Sequence, residues 1–165
     1  MVFTHKVLDQ LRTDVESVIL PSWLEKIPSG FGGPGHGKLK ADHWRTACVV
    51  NMVITLVRLW GTASASPQEL EALKNFLHLV VAVSFASRRS MTEARAAAYD
   101  HHMEQYLRGL RGLYRHNLVP NHHLSLHLRP FLELFGPVHG WWAFSFERYN
   151  GLLQRMKTNF KAGAT

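Results

Sequence analysis

The sequence predicts an all-α fold, a bundle of about six helices. Apolar residues recur at helical spacing through most of the chain. Two stretches read as capping boxes opening long apolar runs, Ser66-Pro67-Gln68-Glu69 and Ser90-Met91-Thr92-Glu93. No segment alternates apolar and polar residues for long enough to suggest a strand. With 165 residues, 46% of them hydrophobic and 19% charged, the chain is long enough for one domain with a buried core, spanning 1–165.

Taken in order, Thr4 is placed to cap a first helix running to about Leu20. Val7, Leu8, Leu11, Val15, Val18 and Ile19 form its apolar stripe, and Pro21 stops it. Residues 28–37 hold five glycines and two prolines and read as a loop. The loop lacks the Gly-Lys-Ser/Thr ending of a phosphate-cradling motif. A second helix is expected from Ala41–Asp42, with Asp42 as N-cap, to Trp60, followed by Gly61. The third runs from Ser66 to about Ser87. Both are apolar around most of their circumference and belong in the middle of the bundle. The fourth runs from Ser90 to about Arg115. Asn121 caps a short helix, Pro130 restarts it, and Gly136 ends it. An aromatic loop, Gly136 to Phe144, then leads to a last helix, Phe146 to about Lys157, capped by Ser145. The tail is expected to fray.

Lys and Arg number 19 against 12 Asp and Glu, a formal charge of +7, which favours an anionic partner such as nucleic acid. Cys48 is the single cysteine, so no intrachain disulfide forms, and a reducing, intracellular setting suits it. It reads as a small core residue. The N-terminus lacks the apolar core of a signal peptide. The longest apolar runs fall short of the roughly 20 residues that span a bilayer, so no membrane association is expected.

Several residue groups bear on chemistry. Arg108, Arg111 and Arg115 recur at spacings of three and four, either a solvated stripe or a phosphate-facing ridge. His123 and His127 stand at i, i+4, with His139 able to approach from the next loop and Glu133 as a fourth candidate. Zinc requires three or four such ligands to converge. The opposing reading is histidines that cap helix ends and pack beside aromatics, and on this balance zinc is not expected. Trp141, Trp142, Phe144 and Phe146 suit either base stacking or a core plug, with the plug expected for at least two. In the last helix Glu147, Asn150, Gly151 and Gln154 form a polar face, and Phe146, Tyr149, Leu153 and Met156 an apolar one. Glycine there is expected to admit a close neighbour. Glu147, in the first turn, offsets the helix dipole on a plain structural reading. Asp9, Asp14, Asp42 and Asp100 all fall on or at the start of predicted helices.

The string NHHLSLHLRPFLELFGPVHGWWAFSFERYNGLLQR, Asn121 to Arg155, resembles a helical domain of unknown function near the C-terminus of CACTA-type (En/Spm-like) transposases, fungal relatives included. HGKLKADHWRTACVV, His36 to Val50, is similar to that domain's opening motif, and GPVHGWWAFSFERYNGLL is the most specific piece. The motif-bearing segment is 121–157. The resemblance implies a partial domain of a larger RNase H-like (DDE) transposase, acting in the nucleus. By position it makes Glu147 the third carboxylate of a site whose parent holds Mg²⁺ or Mn²⁺. It also implies DNA contacts through Arg148, Arg155, Lys157 and Lys161, joined by Arg111 and Arg115 if their ridge faces phosphate. The chain reads as starting inside a longer frame and stopping soon after Asn159. One glutamate cannot hold two metal ions, so the isolated chain is expected to need no cofactor and to be catalytically incomplete. The rival readings are a helical protein-interaction module without a nucleic-acid role and a histidine-liganded metal-binding domain.

Overall fold

A computed structural model describes residues 4–28, 30–33 and 39–155. Among these the chain is helical, with no strand. It forms α1 (His5–Ser17), α2 (Ala41–Thr46), α3 (Met52–Trp60), α4 (Pro67–Ala86), α5 (Glu93–Tyr114), α6 (Pro120–Leu126), α7 (Leu128–Phe135) and α8 (Phe144–Arg155). A π-helical turn, Ala47–Asn51, joins α2 to α3 in one continuous rod, so the described residues make seven rods where about six were expected. At that turn Thr46 Oγ1 and Asn51 Oδ1 are buried without a hydrogen-bond partner among the described residues. Wide turns of this kind are rare inside α-helices.

α1 ends three residues earlier than expected. Val18 is already extended, and Ile19 is exposed rather than part of the stripe. Pro21 restricts Leu20 to extended backbone, and Lys26 takes the Glu16 carbonyl with a 2.9 Å hydrogen bond, so the last turn unwinds. Beyond it, Gly32 at φ +70° turns the chain against Leu8, and Arg12 holds the Phe31 carbonyl at 3.0 Å. Four expected caps shift. Lys40 occupies the α2 cap position, and Asp42 lies in the first turn bound to Arg45 at 2.8 Å. Thr92, not Ser90, caps α5 by accepting from Arg95 N–H. Pro120, whose missing N–H costs nothing in a first turn, opens α6 in place of an Asn121 cap. α8 begins at Phe144, which puts Ser145 inside its first turn.

The α4 box forms as expected. Ser66 Oγ accepts from Glu69 N–H at 3.3 Å, and Glu69 accepts from Ser66 N–H at 2.8 Å. Ser66→Ala is therefore expected to cost about 1 kcal/mol, read as a lower denaturation midpoint. An unchanged midpoint would show that tertiary packing alone holds this helix end.

α4 and α5 make the most extensive helix interface. Asn75 faces Gly109 and His78 faces His102, so the two run in opposite directions. Ala82, Ala86, Ala96, Tyr99, Met103 and Leu107 fill that interface, with Leu132 of α7 completing it. The alanines let the two backbones approach closely. Tyr99 ties α6 down through a 2.7 Å bond to the Ser125 carbonyl. A second cluster joins Leu56 and Trp60 of α3 to Ala72, Leu73 and Phe76 of α4, with Cys48 packed at its edge. A third joins Leu11 and Val15 of α1 to Ile27, Phe31 and Ala47. Burial pushes the Cys48 thiol up to about 11, which leaves it a protonated, inert packing residue. No helix among the described residues is long and apolar enough to cross a membrane.

Candidate functional site

The C-terminal segment is built on α7, whose one fully buried residue, Leu132, fixes it to α5. Gly136 at φ +73° ends α7 and starts the aromatic loop. Within the loop a 3-10 turn, Val138–Gly140, points the two tryptophans in different directions. Trp141 lies against Phe131 and Phe135, with centroids at 6.3 and 6.4 Å, and donates to the Gly136 carbonyl at 3.1 Å. Trp142 is half-buried. It meets the edge of His139 at 4.2 Å and lies under the Arg45 guanidinium, tying the loop to α2. The plug is thus shallow. Trp142 packs, while Trp141 stays on a surface shared with the exposed Phe131 and Phe135.

α8 carries the expected site residue. Glu147 and Arg148 fall in its first two turns, but their side chains lie outside the described residues, as do Lys157 and Lys161 entirely. Arg155 is exposed in the last turn. The apolar face is not buried: Phe146 is 71% exposed, Tyr149 66% and Leu153 61%. A Cβ placed on Gly151 meets nothing within 4 Å among the described residues, so the close neighbour expected there is not supplied.

The arginine ridge is broken. α5 ends at Tyr114, and Arg115 takes φ 50°, a left-handed cap conformation that swings it off the helix face. Arg108 is engaged by Glu104 at 2.6 Å, which leaves Arg111 as the exposed cation of the last turn. The histidines divide as well. His123 and His127 stay together, Nε2 to Nε2 3.1 Å. His139 instead donates to the Ser87 carbonyl at 2.8 Å, and Glu133 pairs with Arg129 at 2.9 Å. No three metal-ligating side chains converge among the described residues.

Each aspartate has an arginine partner: Asp9 with Arg12 (3.0 Å), Asp14 with Arg58 (2.6 Å), Asp42 with Arg45 (2.8 Å) and Asp100 with Arg129 (3.6 Å). Asp14 is the one sequence reasoning missed. It is buried between α1 and α3 and also accepts from Thr55 (2.7 Å) and Gln10 (3.0 Å). Burial pushes its carboxyl up, but the bonds from Thr55, Gln10 and Arg58 outweigh that and hold it below the usual aspartate range. The signal was present, since Asp14 stands three residues from Leu11 and seven from Val7, on the buried stripe.

Two further features were not foreseen. An apolar cavity of about 620 Å³ opens beside α1, lined by Val7, Leu8, Leu11, Phe31, Trp44, Met52 and Leu56, with Thr4, His5 and Thr55 adding polar atoms. On the α4–α5 interface the His78 and His102 Nδ1 atoms are 2.8 Å apart, so only one of them carries hydrogen. Burial, then neighbouring imidazole charge, lowers both pKa values. Comparison with models of known families, with curated proteins and with solved structures finds no match.

Proposed function

We propose that the chain is a helical accessory domain of a CACTA-type (En/Spm-like) DDE transposase, working in the nucleus and catalytically incomplete by itself. It seats on an RNase H-like core through the face formed by α7 and α8, adds weak, sequence-tolerant DNA contacts, and lends Glu147 to the parent's Mg²⁺ or Mn²⁺ site. The observation that carries this reading is the uncovered apolar face. Leu134, Phe146, Tyr149 and Leu153 are more than half exposed within the segment that resembles such transposases. Phe146, Tyr149 and Leu153 recur at helical spacing as one exposed stripe on α8, and an exposed apolar stripe suits a partner surface. The pairing of all four aspartates with arginines supports incompleteness, because none is spare to join Glu147 at a two-metal centre.

A protein-interaction module without a DNA role is favoured by a different observation. Arg12, Arg45, Arg58, Arg108 and Arg129 are already neutralised by carboxylates, which reduces the cations open to phosphate. Duplex binding followed by fluorescence anisotropy separates the two. The transposase reading expects affinity that falls steeply with salt, by a slope of about −0.9 per phosphate neutralised, with little sequence preference. It expects no cutting with Mg²⁺ or Mn²⁺. It also expects the chain to co-purify with an RNase H-like core of a CACTA-type transposase, and Tyr149→Glu with Leu153→Glu to abolish that. Absence of any shift at low salt would hand the case to the interaction module. Metal-dependent cleavage lost in Glu147→Gln would overturn the claim of incompleteness.

A further inference from the structure

The same segment holds a histidine pair that neither the packing nor the apolar face employs. His123 lies in α6, and His127 is the capping residue between α6 and α7. Both are exposed. Their Nε2 atoms are 3.1 Å apart, the ring centroids 4.7 Å, and the planes cross at 80°.

These values distinguish two arrangements. A linear N–H···N bond of this length would set the centroids about 5.5 Å apart. The His78–His102 pair has that end-on form, with 2.8 Å between nitrogens and 5.1 Å between centroids. In the His123–His127 pair the shorter centroid distance marks a bent contact, either a bent N–H···N bond or two nitrogens turned toward a common point. Two imidazoles bound to one ion by bonds of about 2.0–2.1 Å, at an angle near 100°, have nitrogens about 3.1 Å and centroids about 4.8 Å apart. The observed separations lie close to these values, so the two Nε2 atoms are spaced to hold one ion.

We propose that His123 and His127 chelate one divalent transition-metal ion through their Nε2 atoms, with water completing the coordination. Neutral imidazole is a borderline ligand suited to copper, nickel and zinc, and affinity is expected to follow Cu²⁺ over Ni²⁺ and Zn²⁺. One turn of helix fixes the spacing, so little side-chain freedom is lost on binding. Exposure leaves room for the waters. His139 is committed to the Ser87 carbonyl and Glu133 to Arg129, so the site has two protein ligands and exchanges its ion readily. By bridging α6 to its cap, the ion would stiffen the junction that sets the direction of α7. This inference is independent of the transposase reading.

The test uses the full chain without an affinity tag, isotope-labelled and titrated with substoichiometric Cu²⁺ near pH 7.5. Paramagnetic broadening is expected to centre on α6 and the α6–α7 junction. Calorimetry is expected to give one site, with His123→Ala and His127→Ala each weakening Cu²⁺ binding about tenfold or more. His101→Ala, an exposed histidine elsewhere, should leave it unchanged. Broadening centred on another region, spread evenly, or absent overturns the proposal. So does full affinity in His127→Ala. Circular dichroism verifies that the variants fold, and the wild-type broadening map decides without any variant.

Discussion

Asp14→Ala is expected to destabilise the fold by about 2–3 kcal/mol, because it leaves a buried hydroxyl without a partner. Thr55 is fully buried, and its hydroxyl donates to the Asp14 carboxylate at 2.7 Å. Arg58 contributes less. Its side chain is 56% exposed and returns to water when the carboxylate is removed, so Arg58→Ala should cost about 1 kcal/mol or less. Urea unfolding provides the measurement, with a lower midpoint and an unchanged slope. The pH dependence has a definite sign. The native carboxyl titrates below its unfolded counterpart, so its contribution is complete above the ordinary aspartate range near pH 4. It is lost as pH falls through the lowered native value. The gap between wild type and Asp14→Ala should therefore narrow on acidification, and a gap constant between pH 7 and pH 3 would disprove the assignment.

Gly109→Ala and Gly112→Ala should move stability in opposite directions, although the two glycines are three residues apart in one helix. Alanine in an exposed helix interior gains up to about 1 kcal/mol over glycine. At Gly112 a Cβ meets nothing within 4 Å among the described residues, so most of that gain should appear. At Gly109 the Cβ would overlap the Asn75 side-chain amide. Asn75 is buried and bonded to Tyr114, so its short side chain has nowhere to retreat. Overpacking there is expected to outweigh the propensity gain and leave Gly109→Ala about 1–2 kcal/mol less stable. Thermal melts of both variants decide the matter. Equal shifts would mean that α4 and α5 adjust their spacing freely.

The helical class was legible because its signals are local. The Ser66–Glu69 box and the Trp60–Gly61 stop each depend on a few neighbouring residues, and both stand. The misplacements came from competition between adjacent candidates. Thr92 won over Ser90, and Pro120 opened α6 one residue ahead of Asn121, where local spacing alone does not choose. Long-range pairings were hidden. Asp14 meets Thr55 and Arg58 across some forty residues of chain; its place on the apolar stripe signals burial, but nothing local names those partners. The same holds for the histidines. Spacing brought His123 to His127, but His139 was drawn to Ser87 by packing between α4 and the aromatic loop.

The wide turn at Ala47–Asn51 sets how the rod from Ala41 to Trp60 tolerates changes of length. Each residue of a regular helix advances the face by about 100°, so one insertion or deletion turns everything on one side of it away from its partners. Here a surplus residue is already absorbed mid-rod. The half that ends at Thr46 sets Trp44 against Phe31, while the half that begins at Met52 meets both α1 and α4. Shortening the chain by one residue between 47 and 51 would straighten the backbone ladder while rotating Trp44 and Ala47 off the surfaces they now meet. The irregularity sets the azimuth of Trp44 against Phe31 separately from that of α3, which meets α1 and α4 on its own.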